Sequence, residues 1–183
     1  GISFKPKTYL ADEWGCPHGV PVIGIPFYLA EPELCKLECQ LTGIEAEEEA
    51  EVMMYLRHEA GHAFNYAYRL YNRTEWRRLF GQFSRPYKEI YQPVPFSARF
   101  VRNIPGWYAQ KHPDEDFSET FAVWLKPGSN WLKEYDATPA LASLKRAKVL
   151  STSRKGNKHH EKNLCAFARM PGFVCLDKKC QHR

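Results

Sequence analysis

Between residues 45 and 72 apolar positions return every three or four residues, at Leu56, Ala60, Ala63, Ala67 and Leu70. That spacing predicts one long amphipathic helix, with Tyr55, His58, His62 and Tyr66 lying off the apolar stripe. One flank is expected to pack and the other to line a cleft. Thr42-Gly43-Ile44-Glu45 reads as a capping box, and Glu45, Glu47, Glu48 and Glu49 crowd the first turns, where the helix dipole favours negative charge. Before it, Val20 to Ala30 is β-rich but interrupted by Pro21 and Pro26. Proline cannot donate to a ladder, so an edge strand or two short strands are expected, suited to pairing with an extended peptide. Residues 1–20, with Pro6, Gly15, Pro17 and Gly19, read as irregular. Short helices are expected over Glu31–Gln40, Thr74–Phe83, Asn130–Tyr135 and Ala137–Leu150, and another over Asp114–Leu125, capped by Asp114 and stopped at Pro127-Gly128. Ser84 to Pro105, rich in Pro and Tyr, reads as a long irregular connection of the kind that often carries function. The fold class that follows is α+β, mostly helical, with a short sheet before the long helix.

Length and charge add a boundary. The 183 residues suit one domain over residues 1–150 and a basic, cysteine-containing tail over 151–183. Net charge is +5, but residues 1–144 hold 15 Lys+Arg against 19 Asp+Glu, whereas residues 145–183 hold 11 against 2. Such a tail is expected to be solvated, with nucleic acid a lesser possibility for a partner. No apolar run is long enough to span a bilayer, and the opening Gly1-Ile2-Ser3-Phe4-Lys5 does not read as a secretory signal. A cytoplasmic setting and reduced cysteines are therefore expected. A structural zinc site at Cys165, Cys175, Cys180 and His182 has spacings that match no common knuckle.

The chemistry lies on the long helix, in His58-Glu59-Ala60-Gly61-His62. Residues four apart project from one face, so both imidazoles can reach one zinc ion, and the neighbouring Glu59 can act as general base on water there. A catalytic zinc takes three protein ligands and keeps an open position. Residue 68, where a metzincin would carry its third histidine, is Tyr68. The third ligand must come from elsewhere, and His112-Pro113-Asp114-Glu115-Asp116-Phe117-Ser118-Glu119 offers Glu115, Glu119 and His112. Glu115 and Glu119 share one helical face, which would let one bind metal while the other orients a ligand. The residues alone leave the three open.

Leu56-Arg57-His58-Glu59-Ala60-Gly61-His62-Ala63 and Glu115-Asp116-Phe117-Ser118-Glu119-Thr120-Phe121-Ala122 together resemble bacterial zinc-binding metallopeptidases of the gluzincin type, over about Trp14 to Leu144. The later block is also similar to that of lethal-factor-type toxin proteases, although Asp116 stands where those have an aromatic residue. The resemblance implies a zincin-like fold and a peptide or protein substrate. It implies zinc on His58, His62 and Glu115, with Glu119 behind them. Tyr108, seven residues before Glu115, would stabilise the transition state. Other classes keep a place: a non-catalytic zinc-containing module whose basic tail docks to nucleic acid or an acidic partner, and a helical structural protein without metal.

Overall fold

The computed structural model describes residues 4–42, 49–88 and 90–152, the last two by backbone alone. Two parallel strands, β1 (Lys7–Ala11) and β2 (Val22–Pro26), precede helices α1 (Pro32–Thr42), α2 (Glu49–Ala67), α3 (Thr74–Phe80), α4 (Pro113–Leu125), α5 (Trp131–Glu134) and α6 (Ala140–Thr152). Single 3-10 turns occupy Phe27–Ala30, Leu70–Asn72 and Tyr108–Gln110. The chain is thus mostly helical with a small two-stranded sheet, compatible with an α+β class. Residues 43–45 of the capping box, the tail and its candidate zinc site lie outside the described residues. No helix among the described residues is long and apolar enough to cross a membrane.

The sheet departs from expectation at β1. β1 falls in a stretch that reads as irregular; four of its five residues are exposed, and it is ordered by pairing with β2, from Lys7 opposite Val22 to Ala11 opposite Pro26. Strand formation here follows tertiary partners, which local composition does not record. β2 is short and lies at the sheet edge as expected, with one further contact, the Gly24 amide donating to the Gly15 carbonyl at 2.7 Å.

α4 runs through the middle of the molecule, buried from Pro113 to Val123. Its cap is His112, whose Nδ1 accepts from the Asp114 amide at 3.1 Å, with Pro113 in the first turn. Asp114, the expected cap, sits inside that turn, and its carboxylate is left for other partners. Phe117 and Phe121 are one turn apart. Phe64 of α2 stacks on Phe121 at 5.1 Å, while Phe80 of α3 meets Phe117 edge-on at 5.3 Å. Burying each such ring stabilises the fold by about 1.5–3 kcal/mol. Val123, Trp131, Tyr135, Ala140 and Leu144 form a second cluster joining α4 to α5 and α6.

α2 crosses α4 and is buried more completely than an amphipathic reading allows. Leu56, Ala60, Ala63 and Leu70 are buried as expected, Val52 and Phe64 join them, and Ala67 is exposed. The other flank is inside too: His58, Glu59, His62, Asn65 and Tyr66 are all buried. Instead of an open cleft wall, the flank is covered by α4 and by the segment after β1, where Trp14 stacks on Tyr55 at 6.1 Å and His18 meets Tyr66 at 5.9 Å.

The long connection after α3 has no regular element among its described residues, yet it is pinned. The Gln110 side chain bonds both polar groups of the Val94 backbone at 2.9 Å, and the Tyr91 hydroxyl donates to the Gly106 carbonyl at 2.9 Å. The Arg102 amide donates to the Tyr135 hydroxyl at 3.1 Å. Among the cysteines, Cys16 and Cys39 are free thiols, and the Cys35 sulfur lies 3.0 Å from the Tyr28 carbonyl oxygen.

Gly61 sets the spacing of α2 and α4. A Cβ there would lie 2.8 Å from the Ser118 Cα, a backbone atom that cannot swing aside. In an ordinary helix interior Gly→Ala stabilises by roughly 0.5–1 kcal/mol. Here Gly61→Ala is expected to destabilise by about 1–3 kcal/mol through overpacking, read as a lower denaturation midpoint.

Candidate metal centre

Where α2 crosses the first turns of α4, three ligand atoms converge. His58 Nε2 lies 3.1 Å from His62 Nε2, and Glu115 Oε2 lies 3.0 Å from the first and 3.2 Å from the second. The helical spacing of four brings the imidazoles together, and the close approach at Gly61 brings the carboxylate to them. Tetrahedral zinc with bonds of about 2.0–2.2 Å holds its ligand atoms roughly 3.3–3.5 Å apart, within a few tenths of an ångström of this triangle.

The far side of each imidazole is also committed. His58 Nδ1 lies 2.8 Å from Glu119 Oε1, and His62 Nδ1 lies 2.9 Å from Asp114 Oδ2. A carboxylate on each Nδ1 fixes the proton there and turns each Nε2 lone pair inward, the arrangement that outer carboxylates give metal-bound histidines. The donor set fits zinc: two neutral imidazole nitrogens and one carboxylate oxygen, converging at a buried point.

Electrostatics agree. Burial alone would drive the His58 pKa down, but its bonds with Glu115 and Glu119 outweigh that and lift it to about 9. His62 is likewise disfavoured by burial and raised by Asp114 and Glu115. Burial pushes the Glu115 carboxyl up, yet the two histidines hold it well below the usual carboxylate range. The field that keeps protons on these imidazoles attracts any cation placed among them.

Asp114, like Glu119, has four hydrogen-bonding partners. Besides His62 it accepts from Asn65 Nδ2 at 2.7 Å and the Tyr66 hydroxyl at 2.5 Å, and the Tyr87 hydroxyl lies 3.4 Å away. Burial opposes its charge, while His62 and these donors lower its pKa. Its part was not foreseen. From the sequence Asp114 reads only as the cap of this helix, and only the crossing of α2 shows which acid meets which histidine. Tyr66 and Tyr87 belong to the same network. His112 is buried and is not a ligand: its Nδ1 caps α4, its Nε2 lies 2.6 Å from the Arg85 carbonyl, and its ring stacks on Tyr87 at 3.8 Å.

Glu119 serves two sides. Its Oε2 accepts from the Asn103 and Ile104 amides at 3.2 and 2.8 Å, which hooks the long connection onto the His58 pair. Beyond that hook, the Tyr108 ring meets His58 at 5.6 Å. Burial, then Glu115, push the Tyr108 hydroxyl pKa upward, so it stays a protonated donor. Glu59 is buried beside His58, and its Oε2 has no hydrogen-bond partner. Burial raises its pKa and the two histidines offset only part of that.

Of the residues singled out from the sequence, His58, His62 and Glu115 meet at one point, Glu119 lies behind His58, the Tyr108 ring lies against His58, Glu59 follows His58 on the helix, and His112 is turned to other partners. Residues 30–147, well over half of the chain, match a family described as "Putative zinc-binding metallo-peptidase", and the chain belongs to it. No curated protein and no solved structure matches. The family is zinc-binding, and His58, His62 and Glu115 form a possible site for that ion.

Removing an outer carboxylate should loosen the metal without removing a ligand. Asp114→Ala and Glu119→Ala are each expected to weaken zinc binding about 10–100-fold in chelator competition, and Glu115→Ala to weaken it further.

Proposed function

We propose that the protein is a zincin-like peptidase of the gluzincin type, which hydrolyses peptide bonds of a peptide or protein substrate with Glu59 as general base. The observation that carries this reading is the Glu59 carboxylate: buried next to a metal-site histidine, with one oxygen unpartnered. A structural metal site needs no such group. An unpaired buried carboxylate costs stability and is kept where it moves protons.

His58, His62 and Glu115 would hold the ion, which when bound supplies a water of pKa near 7 and polarises the scissile carbonyl. Glu59 takes a proton from the attacking water and passes it to the leaving amine as the C–N bond breaks. Its raised pKa brings its basicity closer to neutral, where a base that must also act as an acid works best. Tyr108, kept protonated, donates to the oxyanion that forms on the carbonyl oxygen. Its spacing of seven residues before Glu115, shared with lethal-factor-type proteases, supports that role. Asp114 and Glu119 hold the imidazoles so that neither ring rotates during turnover.

Two variants test the reading. Glu59→Gln is expected to retain stoichiometric zinc by metal analysis yet to lose hydrolysis of a denatured-protein mixture, whose cleavage by the unaltered protein a chelator should stop. Substantial turnover by Glu59→Gln would overturn the mechanism. Tyr108→Phe is expected to keep zinc and lower kcat by about 10²–10³, the usual effect of removing an oxyanion donor.

A further inference from the structure

The interior of the metal centre is acidic, but its rim is not. From Arg85 to Lys111 the chain carries five cationic residues, Arg85, Lys88, Arg99, Arg102 and Lys111, against the single acid Glu89. Two of these cations stand over aromatic rings next to Tyr108. Lys111 Nζ lies 5.0 Å from the Tyr108 ring centroid and 3.4 Å from its hydroxyl. The exposed Arg102 guanidinium lies 4.2 Å from the Trp107 ring and 5.2 Å from the Phe96 ring. Neither forms an ion pair with a carboxylate among the described residues. The backbone beneath them is strained: Trp107 and Phe96 take left-handed φ values of 60° and 61°, where side chains other than glycine are uncommon. Strain of this kind persists where the surroundings impose it, often at a ligand site.

We propose that Lys111, with Arg102 farther along the rim, binds a carboxylate of the substrate, so that this centre takes acidic peptides. The proposal rests on the peptidase reading, since Tyr108 marks where the reacting carbonyl lies. An extended peptide advances about 3.5 Å per residue, so a carboxylate meeting Lys111 belongs within one or two positions of the bond that is cut. Two sources share this chemistry, an Asp or Glu side chain and the free C-terminal carboxylate of the peptide. An ammonium resting on an aromatic face stays poised without a carboxylate of its own chain, and a cation half withdrawn from solvent binds an anion more strongly than one in open water. The bland alternative is that these cations only offset the buried acids, in which case they give no preference among peptides.

The test uses the full chain carrying Glu59→Gln, loaded with zinc, and fluorescently labelled peptides of equal length that differ only in charge. Anisotropy should show the acidic peptide binding about tenfold tighter than the basic one, with the margin shrinking as salt rises. Amidating the C-terminus separates the sources: affinity of the acidic peptide that survives amidation belongs to side chains, and affinity that both peptides lose on amidation belongs to the terminus. Lys111→Met in the same background should reduce the margin severalfold, and Lys111→Arg should restore it. Equal binding of acidic and basic peptides that amidation leaves unchanged, or affinity for either carboxylate untouched by Lys111→Met, overturns the proposal. Cleavage-site mapping on the unaltered protein separates the two levels. Cuts with neither an acidic residue nor the free C-terminus within one or two positions overturn carboxylate selection and leave the peptidase standing, whereas acid-selective binding without any cutting overturns the peptidase and leaves the anion site.

Discussion

The close crossing of α2 and α4 is the constraint on which the rest depends. It is set by a missing side chain at Gly61, against which Ser118 packs. Everything polar at the centre lies within about a turn of that contact: His58 and His62 on one helix, Asp114, Glu115 and Glu119 on the other. Aromatic rings on the same two helices, Phe64 on Phe121, hold the pair from the opposite side. Apolar packing thus supplies the free energy that brings acids and imidazoles together out of water.

That arrangement is costly without a cation. Asp114, Glu115 and Glu119 are buried to 5% exposure or less, with two imidazoles between them. Burying an unpaired carboxylate is expensive, and the hydrogen bonds from Asn65, Tyr66, Asn103 and Ile104 offset only part of it. A divalent ion at the convergence of His58, His62 and Glu115 would complete the balance. The same balance explains why Glu59 stands out. Every other acid in the group is paired, and the one next to His58 keeps an oxygen unpartnered.

How far the centre could be read from the chain depended on whether its signals were local. His58 and His62 announce themselves because a helix converts a spacing of four into a shared face, and Glu115 with Glu119 does the same. The third ligand stayed open among Glu115, Glu119 and His112 until the resemblance favoured Glu115. Asp114 is one residue from Glu115, and no periodicity tells which of two adjacent acids meets which imidazole. His112 displaced Asp114 as cap because its Nδ1 reaches the Asp114 amide, a choice between neighbours that composition does not make. β1 was missed for a related reason. Lys7 to Ala11 gains its order from β2, eleven residues on, and looks like a surface stretch when taken alone.

Glu119 divides its two oxygens between His58 and the backbone amides of the long connection. The imidazole and the rim beside Tyr108 are therefore one mechanical part, joined through a single carboxylate. A force that displaces the rim also tugs on the ring, and a ring that slackens lets the rim drift.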